Sequence, residues 1–176
     1  AWELLFDRLG AVPGKSLDAR TLLITGGAGG VGSILIQLAR RLTGLTVVAT
    51  ATRPESQKWC LDLGAHAVID HGKPMKEQID ALRLPPVGLV ASLTFTDQHY
   101  KAIAEFMAPQ GKFGLIDDPP EFTMSAFKGK AISVHWESMF TRSSFQTPDM
   151  IAQHYLLNDV ADLLDKGVLR TTLDQT

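Results

Sequence analysis

The run Thr21-Leu-Leu-Ile-Thr25 leads directly into Gly26-Gly27-Ala28-Gly29-Gly30-Val31-Gly32, and this junction constrains the fold more than any other part of the chain. A short, wholly apolar run suits a strand buried on both faces. Beyond the glycines, Val31, Ile34, Leu35, Leu38 and Leu42 recur at helical spacing, with Gln37, Arg40 and Arg41 facing away. Gly27, Gly29 and Gly32 match the G-x-G-x-x-G pattern. The spacing alone is weak, but a strand before it and a helix after it are the context the chemistry requires. Glycines let the backbone turn sharply and approach a pyrophosphate, while the N–H groups and dipole of the helix N-terminus favour its charge. The last glycine lets helix and strand pack closely. A glycine-rich turn without a ligand is the plainer alternative. Against it, a helix opening this regular rarely carries so many glycines without a reason.

The rest of the chain repeats the alternation. Strands are predicted at Thr21–Thr25, Leu45–Thr50, His66–Asp70, Val87–Leu93, Lys112–Asp117 and Ala131–Trp136. Helices are predicted at Ala1–Leu9, from the glycine run to Leu42, from Thr52 to Gly64, and at Pro74–Leu82, Gln98–Met107 and Asp149–Lys166. Thr52 and Glu55 have capping-box spacing, and Pro54 suits a first turn. Alternating βα units predict an α/β fold, a doubly wound parallel sheet between two helical layers, the Rossmann architecture. Residues 1–18 read as a connecting helix and loop from a preceding domain, 19–145 as the dinucleotide-binding domain, and 146–176 as a final helix and the start of a return. The chain opens on Ala1 rather than Met, which reads as an entry in mid-chain.

Composition narrows the function. The 176 residues carry a formal net charge of −2, which leaves no footprint for nucleic acid or an anionic membrane. No apolar run is long enough to span a bilayer, and no secretory signal pattern opens the chain. Cys60 is the single cysteine, so no intrachain disulfide and no multi-thiolate zinc site can form here, in keeping with a reducing, cytoplasmic setting. The histidines at 66, 71, 99, 135 and 154 show no ligand spacing with Cys60, and no nucleophile with a paired base is evident.

Cofactor choice is read at the end of the second strand. An NAD site usually places a carboxylate there, about 20 residues beyond the glycines. Here the stretch is Thr50-Ala51-Thr52-Arg53, with Lys58 a turn further on. Hydroxyls and cations suit a 2′-phosphate, so NADP is expected rather than NAD. Ligands of open α/β sheets lie beyond the carboxyl ends of the strands. That rule nominates His71 on the adenine side, Ser92 and Thr94 after the fourth strand, Ile116 after the fifth, and Met139 and Phe140 after the sixth. Asp117 and Asp118 read as a solvated turn before Pro119-Pro120. The last predicted strand should lie at a sheet edge, with Val134 and Trp136 on one face and Ser133 and His135 on the other. An exposed edge is a pairing site, so a homodimer through residues 131–136 is expected.

GGAGGVG after TLLIT, then VVATATRPES, LGAHAVIDH, APQGKFGLID and HWESMFTRSSFQTPDM, resembles the medium-chain dehydrogenase/reductase superfamily. The nearest branch is the one called zinc-type alcohol dehydrogenase-like or quinone oxidoreductase-like. The resemblance implies a cofactor domain whose catalytic domain lies outside this chain, with any zinc ligands in that other part. It implies that Gly29, Gly30 and Val31 touch the pyrophosphate, that Thr52 and Arg53 lie near the 2′-phosphate, and that Ser92 and Thr94 lie toward the nicotinamide. The family's cofactor lysine has no clear match, and Ser56 or Lys58 stands in its place. The expected activity is NADP(H)-dependent hydride transfer to a small carbonyl, quinone or enone, with this chain inactive alone. An NAD-dependent zinc alcohol dehydrogenase and a non-catalytic NADPH-binding or scaffold protein are the alternatives.

Overall fold

The computed structural model describes residues 1–14 and 18–173. Residues 15–17 of the connecting segment expected over 1–18, and the last three residues of the return expected within 146–176, lie outside them. A π-helical turn, Leu4–Arg8, is followed by β1 Thr21–Ile24, α1 Gly30–Leu42, β2 Thr46–Thr50, α2 Pro54–Asp62, β3 Ala67–Ile69, α3 Met75–Leu82 and β4 Val87–Ser92. Then come α4 Thr96–Phe106, β5 Lys112–Leu115, α5 Ser125–Lys128, β6 Ser133–Trp136, α6 Thr141–Ser144 and α7 Ala152–Asp165.

All six strands join one parallel sheet in the order β3-β2-β1-β4-β5-β6, the doubly wound arrangement expected. Burial on both faces explains the apolar runs. Leu22, Ile24, Val47, Ala49, Leu89 and Ala91 enter the core shared with α1, α2 and the π-helical turn. Their neighbours Leu23, Val48 and Val90 enter the opposite core with Tyr100, Ile103, Phe113 and Phe127. Side chains alternate across a strand, so a strand covered on both sides needs apolar residues at every position. Gly114 serves a close approach: a Cβ there would lie 2.7 Å from Leu4 Cδ1, so the π-helical turn rests directly on β5.

Several expectations are corrected. The N-terminal helix closes as a π-turn, with Leu9 N–H donating to Leu4 O at 2.9 Å. Gln37 does not face away. It is buried, its amide donates to Arg170 O at 3.2 Å, and its carbonyl accepts Arg170 N–H at 2.9 Å. Val31 is exposed rather than core-facing. The capping box does not form, because Arg53 occupies the N-cap without a side-chain bond and Pro54 opens α2. Gln57 instead reaches back to Ala51 O at 3.0 Å. The final helix begins at Ala152 and packs through Val160, Leu163 and Leu164, whereas Ile151 and Tyr155 stay exposed. Asp117 is not a simple solvated turn residue: its carboxylate accepts the Thr96 N–H at 3.0 Å and the Thr96 hydroxyl, holding down the start of α4.

The segment after β6 is fastened by charge. Arg142, only 12% exposed, meets Asp7 at 2.9 Å and Asp149 at 3.0 Å, and also pairs with Glu3. This joins the π-helical turn to the connection between β6 and α7. No helix among the described residues is long and apolar enough to cross a membrane.

Candidate functional site

The strand order reverses between β1 and β4, and the connections leaving these neighbours diverge to opposite faces of the sheet. A crevice forms at such a point. Here it is a cleft of about 400 Å³ lined by Gly26, Gly29, Gly30, Val31 and Gly32 from the glycine loop, Leu93 and Thr94 after β4, and Ile116 after β5.

The loop is tied to both flanking strands. Thr25 N–H donates to Ala91 O at 3.0 Å, and the Thr25 hydroxyl accepts Leu93 N–H at 2.9 Å. On the other side Gly26 N–H donates to Thr50 Oγ1 at 3.2 Å and Gly27 N–H to Thr50 O at 3.2 Å. Gly26 has φ +66°, and a Cβ there would lie 2.9 Å from Thr94 Cγ2, so glycine is required twice over. Gly32 is the packing glycine: its Cβ would stand 2.4 Å from Gly26 O. Gly30 is the reverse case, with nothing within 4 Å of a Cβ, so a side chain there would enter the cleft. The first bond into α1 runs from Ser33 N–H to Gly29 O at 2.8 Å, and Gly29 gives no side-chain cap. The N–H groups of Gly30, Val31 and Gly32 therefore have no acceptor within the helix, and with the helix dipole they form an electropositive cradle.

Among the predicted site residues, Gly29, Gly30, Val31, Thr94 and Ile116 come together in this cleft. Phe140 lines an adjoining hollow of about 270 Å³ that shares Val31 and Ile116 with it. Gly27 lies beneath the loop, where a Cβ would meet Ala49 Cβ at 2.7 Å and Cys60 Sγ at 3.1 Å. Ser92 is fully buried and its hydroxyl pairs with Thr96 at 2.7 Å, so its side chain points into the molecule. Thr52 and Arg53 stand exposed after β2, with Thr52 beside Gly72 of the β3–α3 turn. Lys58 is turned to Asp62 at 2.6 Å, and His71 Nδ1 lies 3.1 Å from Thr50 Oγ1. Sequence reasoning missed Gly26, Gly32 and Leu93 as lining residues. The doubled glycine ahead of the motif was the available signal for Gly26.

A third hollow, of about 370 Å³, flanks the loop at Ala28 and is bounded by Glu55, Ser56 and Trp59 of α2 and by Thr172 and Leu173 of the tail. Trp59 Nε1–H donates to Ser33 Oγ at 2.8 Å, and the Arg170 guanidinium lies 4.9 Å from the Trp59 ring centroid. The returning tail is thereby held against the first turn of α1.

The family model described as zinc-binding dehydrogenase matches residues 30–153, most of the chain and nearly the whole sheet. This chain belongs to that family. The zinc-binding dehydrogenase model covers the glycine-loop helix and everything through β6, as the resemblance implied. A zinc-type alcohol dehydrogenase-like protein of Staphylococcus aureus strain MSSA476 is 34% identical over 178 residues, spanning 99% of this chain and 52% of that protein. A solved structure from Rhizobium etli CFN 42, assigned to the zinc-dependent alcohol dehydrogenases, is 55% identical with a TM-score of 0.92, covering 99% of this chain and 51% of that one. A mycobacterial structure complexed with NADPH shares the fold at 21% identity and TM-score 0.71, over 90% of this chain and 50% of that one. The chain spans about half the length of the curated relatives it matches.

The family description names zinc, but the residues present do not fit it. Among the described residues no group of three or more His, Cys, Asp or Glu side chains could hold a metal. Cys60 is sealed under the glycine loop, and burial pushes its thiol up to about 11, whereas a ligand must be a thiolate. No step in this chain is therefore assigned to zinc.

Proposed function

We propose that this chain binds a nicotinamide dinucleotide across the carboxyl end of its sheet, as the cofactor half of an oxidoreductase acting on a carbonyl, quinone or activated alkene. The observation that carries this reading is the cleft at the strand-order reversal, with unpaired N–H groups on one wall and an open space where a Gly30 side chain would be. The nicotinamide, when bound, supplies or accepts the hydride. The chain's own groups bind and orient. The Gly30, Val31 and Gly32 N–H groups receive the pyrophosphate, Val31 and Ile116 wall the way into the next hollow, and Phe140 offers an apolar face there. Thr52 and Arg53 supply a hydroxyl and a cation where an NAD site would place a carboxylate, which supports NADPH as the preferred form. His71 sits on the adenine side. We take the setting to be the reducing cytoplasm and the working molecule to be a pair of chains joined at β6.

Calorimetric titration with both reduced cofactors tests the reading. NADPH should bind about tenfold or more tightly than NADH, the scale of one charge-assisted contact. Thr52→Asp should shift the preference toward NADH. Equal affinities in the native chain would remove the 2′-phosphate reading, and binding of neither would remove the dinucleotide reading itself.

A further inference from the structure

The connection from β6 to α7 carries Met139 and Phe140, which line the hollow adjoining the glycine cleft, yet apolar burial does not anchor it. α6, within it, buries no residue, and Met139, Phe140, Phe145, Met150 and Ile151 are all exposed. A stretch without apolar anchorage keeps one conformation only where polar bonds outweigh its conformational entropy.

Arg142 supplies those bonds. Its guanidinium is a rigid fork whose donors point in fixed directions. Nη1 meets Asp7 at 2.9 Å and also pairs with Glu3, both on or beside the π-helical turn. Nε and Nη2 each meet Asp149, ahead of α7, at 3.0 Å. The neighbouring backbone is fixed in turn. The Gln153 amide donates to Glu3 at 3.3 Å and to Met139 O at 2.8 Å, and the Ser143 hydroxyl donates to Phe140 O at 3.1 Å. At the other end of the stretch, Arg8 of the same π-helical turn meets the buried Glu137 at 2.8 Å. Met139 and Phe140 are therefore suspended between two ionic ties, at 137 and 142. Both ties run to the turn that rests on β5 at Gly114, so the wall they form is held in register with the sheet.

We infer that Arg142 is a positioning residue for the nicotinamide end of the dinucleotide: by holding the β6–α7 connection to the π-helical turn, it fixes the Met139–Phe140 wall against which the ring seats. This rests on the dinucleotide reading of the cleft. Without Arg142 the wall must be ordered by the ligand itself, and that ordering is subtracted from affinity. The pyrophosphate cradle, built by the glycine loop on the far side of Val31, does not depend on the tie.

The test compares NADPH with 2′-phospho-ADP-ribose, the same molecule without its nicotinamide ring, by calorimetric titration of the native chain and of Arg142→Gln. The native chain should bind NADPH the more tightly of the two. Arg142→Gln should raise the Kd of NADPH about tenfold, the scale of one or two side chains ordered on binding, and leave that of 2′-phospho-ADP-ribose nearly unchanged. A merely structural role would weaken both ligands alike. Arg142→Lys, which keeps the charge but not the fork, should fall between native and Arg142→Gln for NADPH. The Ser144 and Phe145 amides, bonded to Phe140 O at 2.8 Å and Thr141 O at 3.1 Å, should exchange with solvent about tenfold faster in Arg142→Gln. Equal losses for the two ligands, an unmoved NADPH Kd or unchanged amide exchange overturns the proposal, as does a native chain that binds both ligands equally. If Arg142→Gln does not fold, Arg142→Lys carries the same comparison, and a native-like NADPH Kd there overturns it. If the native chain binds neither ligand while the two amides still respond to Arg142, the dinucleotide reading fails and the positioning of the segment stands.

Discussion

Glycines that look alike in the sequence do different work once their surroundings are known. A Cβ at Gly30 meets nothing within 4 Å, whereas one at Gly32 would lie 2.4 Å from Gly26 O and 2.7 Å from Gly27 O. Gly30→Val should therefore leave thermal stability nearly unchanged and weaken dinucleotide binding at least tenfold. Gly32→Ala should cost about 2–3 kcal/mol of stability, because backbone oxygens cannot move aside as a side chain would. Paired thermal melts and cofactor titrations separate the two, and a Gly30→Val chain that binds normally would remove the loop from the site. Cys60 makes a second residue-scale case. With its thiol near 11, about one molecule in a thousand is thiolate at pH 8, and alkylation by iodoacetamide should run roughly a hundredfold slower than for a free cysteine. Mass spectrometry of the folded chain checks this, and complete modification within minutes would contradict it.

The start of α4 is secured by a partner distant in sequence rather than by a local cap. Among the described residues, no α-helix N-cap makes a side-chain capping bond. For α4 the substitute is Asp117, 21 positions away, which receives both the N–H and the hydroxyl of Thr96. An Asp117→Ala change should lower stability by about 1–2 kcal/mol, the usual value of a lost cap with a buried donor. A urea midpoint that does not move would show that solvent replaces the bond without cost. The capping box read from Thr52 and Glu55 failed for a related reason: Pro54 fixes the first turn one residue later, and Gln57 takes over the backbone of Ala51.

At the scale of the whole molecule, β6 closes one side of the sheet, and its pairing leaves half its backbone unused. Ser133 N–H and Glu137 N–H donate to Gly111 O and Leu115 O on the β5 side. Bonding direction alternates along a strand, so the Val134 and Trp136 N–H groups face the open edge. On the neighbouring face Val134 packs into the core and Trp136 meets Phe122 edge-on at 5.8 Å, while Trp136, Met139 and Phe140 remain more than half exposed. The native chain should therefore run as a dimer in light scattering at micromolar concentration. Val134→Pro, which removes an edge-facing donor and no bond to β5, should run as a monomer. A monomeric native chain, or a proline variant that still pairs, would refute this interface.

The sequence by itself determined the α/β class, the six strands, the junction of β1 with α1 and the glycines that make it. These follow from local signals: both-face burial writes continuous apolar runs, and a phosphate cradle writes glycine at fixed spacing. It also placed β6 at the edge, since the last strand of a doubly wound sheet has a neighbour on one side only. Tertiary structure alone decided what depends on contacts between distant segments. Gln37 reads as a surface residue until Arg170 supplies partners for its amide, and Asp117 reads as a loop residue until Thr96 arrives above it. Thr50 and His71, 21 positions apart, meet because parallel pairing brings the ends of β2 and β3 side by side. A hydrogen bond between remote residues leaves no periodicity in the chain, so no reading of spacing could have found it.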